Sequence, residues 1–293
     1  MGTRLVTYPE KTAWPAPAKL NLFLHITGQR ADGYHELETL FQFIDLQDEI
    51  EIEVVEGGAI ERPEGPEGVS EEDDLVVRAA HALQRETKSQ LGATLWVNKK
   101  VPVGGGVGGG SSDAATTLVA LNYLWGSGLE MRQLASIGLH LGADVPIFIA
   151  GHAAWAEGVG ERLLRVAPPE PYYLLLEPGI HVSTAEIFQS NELTRNTPKA
   201  KIRGSLPAWG RNDCESVVSA RYPEVAEALR WLSQYGDARM TGTGSCLFLA
   251  LENRARAEQI RSQLPDQWRG YVVKGMNESP LVERLRKEYS GVV

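Results

Sequence analysis

The sequence predicts an α+β protein in two units, and three observations carry that prediction. Apolar residues alternate along 14–27 and 50–54, the period of half-buried strands, whereas at 75–83 and 114–125 they recur at helical spacing. A stiff Pro168-Pro169-Glu170-Pro171 connector then leads into a second run of short strands and helices that starts at Tyr172. Inside the first half, a glycine run empties directly into a helix. So much glycine costs backbone entropy, and the stretch therefore calls for a ligand or a close backbone approach. We expect a first unit at 1–157 and a second at 158–293.

Composition narrows the function classes. The chain has 293 residues, 43% of them hydrophobic and 23% charged, as in an ordinary globular protein of two domains. A formal charge of −9 argues against a broad surface for nucleic acid or anionic membrane, yet permits a local cationic pocket. No apolar run reaches membrane-spanning length, residues 1–6 hold no signal-type apolar core, and Val6 breaks the myristoylation pattern. Cys214 and Cys246 form no closely spaced metal or redox motif, which suits free thiols in a reducing cytoplasm. The expectation is a cytoplasmic protein without nucleic-acid or membrane partners.

In chain order, Leu20, Leu22, Leu24 and Ile26 alternate with Lys19, Asn21, Phe23 and His25, so Lys19 and Asn21 point to one side of a strand. The 28–35 stretch turns at Asp32-Gly33 and carries Tyr34 and His35, a ring and a hydrogen-bonding imidazole. Strands follow at 37–46 and 50–54, then an exposed excursion at 57–72. Asp73-Asp74 caps a helix, and a strand at 93–97 ends in Asn98-Lys99-Lys100, whose lysines are either phosphate contacts or solvated surface. After the glycine-loop helix come a second helix at 130–141 and the turn Gly142-Ala143-Asp144-Val145-Pro146. Strand and turn occupy 151–160. In the second half we expect a strand at 172–176 and a helix from Ser183 that carries Thr184 and Phe188. A polar loop at 191–207 precedes helices from Asn212 and Pro223. A second glycine turn lies within 239–249, and a helix at 255–264 and a strand at 271–274 complete the order.

The glycine run holds six glycines between Pro102 and Ser111, interrupted only by Val103 and Val107. Free N–H groups and the positive end of a helix dipole at its exit make a site for phosphate. The P-loop pattern fails because Gly110 stands where its lysine should be. A dinucleotide pattern matches at Gly104, Gly106 and Gly109, but Glu130 opens a helix where the ribose-binding acid should end a strand. That leaves a glycine loop closed by Ser111-Ser112, with its phosphate-neutralising cation supplied from elsewhere. A plain linker would not run into an amphipathic helix.

Taken together, these stretches resemble the kinases of galactose, homoserine, mevalonate and phosphomevalonate, which share a Pro-led glycine loop ending in Ser-Ser and a late glycine turn, here at 241–245. Within that superfamily the chain is most similar to the kinases of 4-diphosphocytidyl-2-C-methyl-D-erythritol in the non-mevalonate isoprenoid pathway. The residues that carry this are Pro17-Ala18-Lys19-Leu20-Asn21-Leu22 with 28–35, the glycine loop, and Leu141 to Pro146. The resemblance implies a ribosomal-S5-like first domain that binds ATP and a ferredoxin-like second domain on the substrate side. It implies ATP phosphates on the loop from Pro102 through Val103, Gly104, Gly105, Gly106, Val107, Gly108, Gly109 and Gly110 to Ser111 and Ser112. Lys19 and Asp144 would flank the acceptor hydroxyl, the 2-hydroxyl of the alcohol, beside Asn21 and Thr184. Tyr34 and His35 would hold the cytosine, with Phe188 closing its other face. Mg2+ would accompany ATP, although the sequence names no acidic metal ligand, and a homodimer stays open. Where the family pattern reads Asp-Asn-Leu, this chain has Asp73-Asp74-Leu75, which puts an adenine contact at residue 74 in doubt. A binding-only nucleotide sensor, a sister kinase for a smaller alcohol and a dinucleotide oxidoreductase are the competing classes.

Overall fold

The computed structural model describes residues 11–66, 68–199 and 210–290. The leader reading at 1–6 and the 200–207 part of the expected polar loop lie outside the described residues. β1 (Thr12–Gln29) pairs antiparallel with β2 (His35–Glu56) from Thr12↔Ile52 to Gln29↔His35. The turn that joins them is closed by the Arg30 N–H, which donates to the Tyr34 carbonyl at 2.7 Å. β2 is one strand of 22 residues where two were expected. No glycine or proline interrupts 37–56, and Asp48, which lies between the two expected strands, is fully buried. Its Oδ1 accepts from the backbone N–H groups of Lys100 at 2.5 Å and Val101 at 2.8 Å, so the strand runs on.

The 57–72 excursion contains β3 (Ile60–Glu64), a parallel partner of β4 (Leu91–Asn98) at the sheet edge, where Pro63 loses no necessary hydrogen bond. α1 (Leu75–Thr87) starts at Asp74, whose carboxylate accepts from the Val76 N–H at 2.9 Å. Then follow α2 (Gly109–Leu124), α3 (Met131–Leu141), the short α4 (Val145–Ala150) and the hairpin β5 (Ala154–Gly158) with β6 (Arg162–Arg165). The second half holds β7 (Tyr172–Glu177), α5 (Thr184–Gln189), α6 (Glu215–Arg221), α7 (Pro223–Leu232), β8 (Arg239–Met240) and β9 (Leu247–Leu251). α8 (Arg254–Arg261), β10 (Arg269–Met276) and α9 (Pro280–Ser290) complete it.

The strands run in the order β3-β4-β2-β10-β7-β9-β8, with β1 and β5 also on β2. β10 joins the halves through two register pairs only, Gly275↔Ile44 and Met276↔Phe43. β6 pairs with β5 across the expected 157/158 boundary, and α9 returns to pack Leu281 and Leu285 into the first core with Trp14 and Leu118. Two elements of the expected second unit therefore sit on the first. One core lies under α1 to α4, another under α5 to α8, and a third cluster joins the units through Ala18, Leu20, Ile44, Val107, Leu175 and Cys246. Burial pushes the Cys214 thiol up to about 12 and raises that of Cys246 as well, so both behave as core residues. Among the described residues no helix is long and apolar enough to cross a membrane.

Leu20 belongs to the joining cluster and is fully buried, between Lys19 and Asn21 on the opposite side of β1. Leu20→Ala is expected to lower the free energy of unfolding by about 2–5 kcal/mol, measured by urea denaturation.

Candidate active site

Two of the glycine loop's neighbours account for Gly105, Gly106 and Gly108. Gly104, Gly106 and Gly108 adopt left-handed φ values of 71°, 75° and 77°. A Cβ at Gly106 would lie 2.3 Å from the Thr241 carbonyl oxygen, and one at Gly105 2.5 Å from Cys246 Sγ. The Cys246 N–H donates to the Gly105 carbonyl at 3.0 Å. The second glycine turn and Cys246 after it thus clamp the back of the first loop: Gly106 is small because another backbone touches it, and Gly105 because the Cys246 side chain does. Gly108 is small for a different neighbour: its Cβ would fall 2.8 Å from the Phe148 ring and 3.1 Å from Lys19 Cε.

A cleft of about 1200 Å³ opens in front of the loop. Pro102, Val103, Gly104 to Gly106, Gly108 to Gly110 and Ser111 line it; Val107 and Ser112 do not. Val107 is buried in the joining cluster because its side chain points away from the loop's open face, and only its carbonyl serves the site, accepting from the Lys19 N–H at 3.0 Å. The Ser112 hydroxyl is buried one turn into α2 with no hydrogen-bond partner, while Ser111 stays at the cleft.

At the α2 end of the loop, Lys99 also lines the cleft, but as neither a free phosphate ligand nor a solvated surface lysine. Its ammonium bonds Asp48 Oδ2 at 2.5 Å and Asp113 Oδ2 at 2.7 Å, tying the β4 exit to β2 and to the first turn of α2. Burial pushes the Asp113 carboxyl up to about 7 against the pull of that ammonium.

At the centre stands Lys19, with a side chain 3% exposed. Its ammonium donates to Asn21 Oδ1 at 2.5 Å and to the Gly106 carbonyl at 3.1 Å, and pairs with Asp144 Oδ2 at 3.1 Å. Three donors meet three acceptors, from β1, the loop and the start of α4. Asn21 is held in turn by donating to Thr39 Oγ1 at 2.8 Å, and its N–H donates to Thr241 Oγ1 at 2.9 Å. Register shifts between Pro17 and Lys19 and between Asn21 and Leu24 flank the pair, bulges of the kind that re-aim side chains beside active sites. Asp144 occupies the cap position of α4 without capping it, and its side chain is 35% exposed to the cleft. The carboxylate is thus left to Lys19 and to whatever occupies the cavity.

The far end of the cleft is aromatic. Tyr34, His35, Thr184, Phe188 and Arg195 line it. Thr184 Oγ1 lies 2.8 Å from Thr243 Oγ1 of the second glycine turn. Tyr34 is 63% exposed, so one face of its ring is open. His35 and Phe188 stack directly on each other, centroids 5.0 Å apart at 28°. No third ring fits between those two. His35 and Phe188 thus form one platform, with the exposed Tyr34 ring at the same end of the cleft. Burial and the facing Arg195 guanidinium hold the His35 pKa below the usual imidazole value.

The departure at residue 74 also has a structural answer. Asp74 is buried, its Oδ1 caps α1, and its Oδ2 lies 3.0 Å from Arg62 Nε of β3 in a pair that is itself buried. Oδ1 is thus hydrogen-bonded within the protein, whereas Oδ2 meets Arg62 as a buried ion pair without hydrogen-bond geometry.

Residues 74–152 match the GHMP kinases N terminal domain, and residues 200–270 match GHMP kinases C terminal. A relative from Shewanella pealeana named 4-diphosphocytidyl-2-C-methyl-D-erythritol kinase is 53% identical over 273 residues, 93% of this chain and 96% of its own length. The chain belongs to the 4-diphosphocytidyl-2-C-methyl-D-erythritol kinase family. A second member, from Shewanella denitrificans, is 54% identical over 94% of this chain and 98% of its own. A solved 4-(cytidine 5'-diphospho)-2C-methyl-D-erythritol kinase superposes with a TM-score of 0.79 at 31% identity, covering 90% of this chain and 99% of that one. A mevalonate kinase structure, at 16% identity and TM-score 0.65, shares the fold.

Several cleft residues carried no sequence signal. Thr39 is a threonine in a strand, Arg195 lies in a polar stretch without periodicity, and Thr243 belongs to a turn noted only for its glycines. Only the packing brings them to one cavity.

Gly106→Ala combines a left-handed φ with a backbone clash, and is expected to destabilise the fold by at least about 1–3 kcal/mol and to lower the melting temperature. In an NMR pH titration, the His35 ring is expected to stay neutral at pH 7 and to protonate only below the ordinary imidazole midpoint of 6.5.

Proposed function

We propose that this cleft transfers the terminal phosphoryl group of ATP to the 2-hydroxyl of 4-diphosphocytidyl-2-C-methyl-D-erythritol. The observation that carries the proposal is the Lys19–Asp144 pair, 3.1 Å apart and joined through the Gly106 carbonyl to the loop that would hold the triphosphate. Family membership supplies the substrate class, and the aromatic end of the cleft is suited to a nucleobase.

Phosphoryl transfer asks a protein for in-line placement and for groups that meet developing charge, with little covalent help. N–H groups at Gly109, Gly110 and Ser111 open α2 and lie at the positive end of its dipole, where anionic oxygens bind well. The clamp from the second glycine turn fixes Gly105 and Gly106, and Val101 packs against Gly109, so the loop is shaped before any nucleotide arrives, as electrostatic stabilisation requires. Asp144 is the member of the pair open to the cavity, and it receives the hydrogen of the acceptor hydroxyl. Lys19, buried behind it, holds the carboxylate in position and stabilises negative charge that builds on the acceptor oxygen. In a loose transition state the hydroxyl proton leaves late, so Asp144 acts first by orienting the hydroxyl and then by taking its proton.

Among the described residues no cluster of three or more His, Cys, Asp or Glu forms a metal cage. Ser111 and Asp144 offer two cleft oxygens, a set that suits Mg2+, which keeps waters and substrate phosphates and takes one or two protein oxygens. They would hold it, and it would supply charge neutralisation for the phosphate oxygens of ATP. The protein would act as a cytoplasmic biosynthetic enzyme.

A coupled ADP-release assay tests the proposal: turnover is expected with 4-diphosphocytidyl-2-C-methyl-D-erythritol and not with mevalonate or homoserine. Asp144→Asn and Lys19→Ala are each expected to reduce kcat by on the order of a hundredfold or more while circular dichroism and melting temperature stay near wild type. Near-normal turnover in either variant would remove the pair from the mechanism.

A further inference from the structure

Arg195 lies in the polar stretch after α5, and all of its hydrogen bonds lead to the aromatic end of the cleft. Nε donates to His35 Nε2 at 3.0 Å. Nη2 donates to the carbonyls of Phe188 at 2.9 Å and Ser190 at 2.7 Å, and Nη1 to that of Leu193 at 3.2 Å. Three of the four acceptors are carbonyls at and just beyond the end of α5, which any arginine could satisfy as a helix C-cap. The fourth is different. A guanidinium is always charged and only donates, so His35 Nε2 must present a lone pair. The ring is then neutral, with its hydrogen on Nδ1. The arginine also ties the two members of the stacked platform to each other, His35 through its ring and Phe188 through its carbonyl.

We propose that Arg195 is a positioning residue for the nucleobase end of the acceptor: it selects the Nδ1–H tautomer of His35 and locks the His35–Phe188 stack before substrate binds. None of its hydrogen bonds goes to Lys19 or Asp144, so its effect falls on acceptor binding and leaves the chemical step alone. The planar fork is essential to this, because one ammonium cannot reach a ring nitrogen and three carbonyls together. This inference rests on the reading of the cleft as the site for a cytidine diphosphate alcohol.

The test has two arms. In the wild-type protein at pH 7.5, long-range 15N–1H spectra of the histidine rings, assigned with His35→Gln, should show His35 as the neutral Nδ1–H tautomer. This arm needs no substrate and no folded Arg195 variant. In the second arm, Arg195→Gln is expected to raise the acceptor KM about tenfold, with kcat and the ATP KM within about twofold of wild type, and Arg195→Lys should not rescue it. A charged or Nε2–H ring in the wild type overturns the proposal. So does an unchanged acceptor KM, or a fall in kcat and rise in ATP KM that match the change in acceptor KM, the mark of a C-cap alone. If the wild type releases no ADP with this acceptor, the functional reading fails, while the tautomer measurement still decides whether Arg195 sets the ring.

Discussion

The buried ammonium of Lys19 is the constraint around which the site is built. A lysine almost wholly removed from water must find an acceptor for each of its three hydrogens, or its charge would be costly to keep. Here each acceptor comes from a different place: Asn21 on the same strand, the Gly106 carbonyl on the phosphate loop, and Asp144 at the head of α4. Satisfying one charge therefore aligns three segments far apart in sequence. An ion pair of this kind is weak support for stability, and its value lies in the geometry it imposes.

A second constraint holds the loop from behind. The turn at 241–245 approaches Gly106, and Cys246 just after it approaches Gly105, so closely that a side chain on either glycine would collide. The same turn reaches Asn21 through Thr241 and Thr184 through Thr243, so one short segment of the second unit contacts the glycine loop, the lysine strand and the start of α5. With the joining cluster of Leu20, Val107 and Cys246 beneath, the cleft between the units is braced on both sides. Such a scaffold presents its N–H donors ready placed, which is what stabilising a phosphoryl group in transit requires.

The cations near the cleft follow a common pattern in a chain whose net charge is −9. Lys19, Lys99 and Arg195 each have their donors committed to protein acceptors: a carboxylate with an amide and a carbonyl, two carboxylates, and a ring nitrogen with carbonyls. These cations are thus held in place by the protein itself and do not have to reorganise when a ligand binds. Arg62 does the same for Asp74 at the edge of the sheet, where an ion pair stands at the position whose family pattern has an amide.

By itself, the sequence determined what local rules can determine. The alternation around Lys19 and Asn21, the caps at Asp74 and Ser183, and the glycine run that ends in a helix are readable because period, cap and φ preference act over a few residues. Motif likeness then singled out Lys19 and Asp144 before their proximity was known. Tertiary structure alone decided that β2 is continuous, because the Asp48 carboxylate that keeps it so is satisfied by backbone some fifty residues away. It also decided that α9 closes on the first core, that Val107 and Ser112 turn inward, and that His35 stacks on Phe188 under the hold of Arg195. Each of these depends on contacts between residues distant in the chain, and no local pattern records which distant partner a side chain will meet.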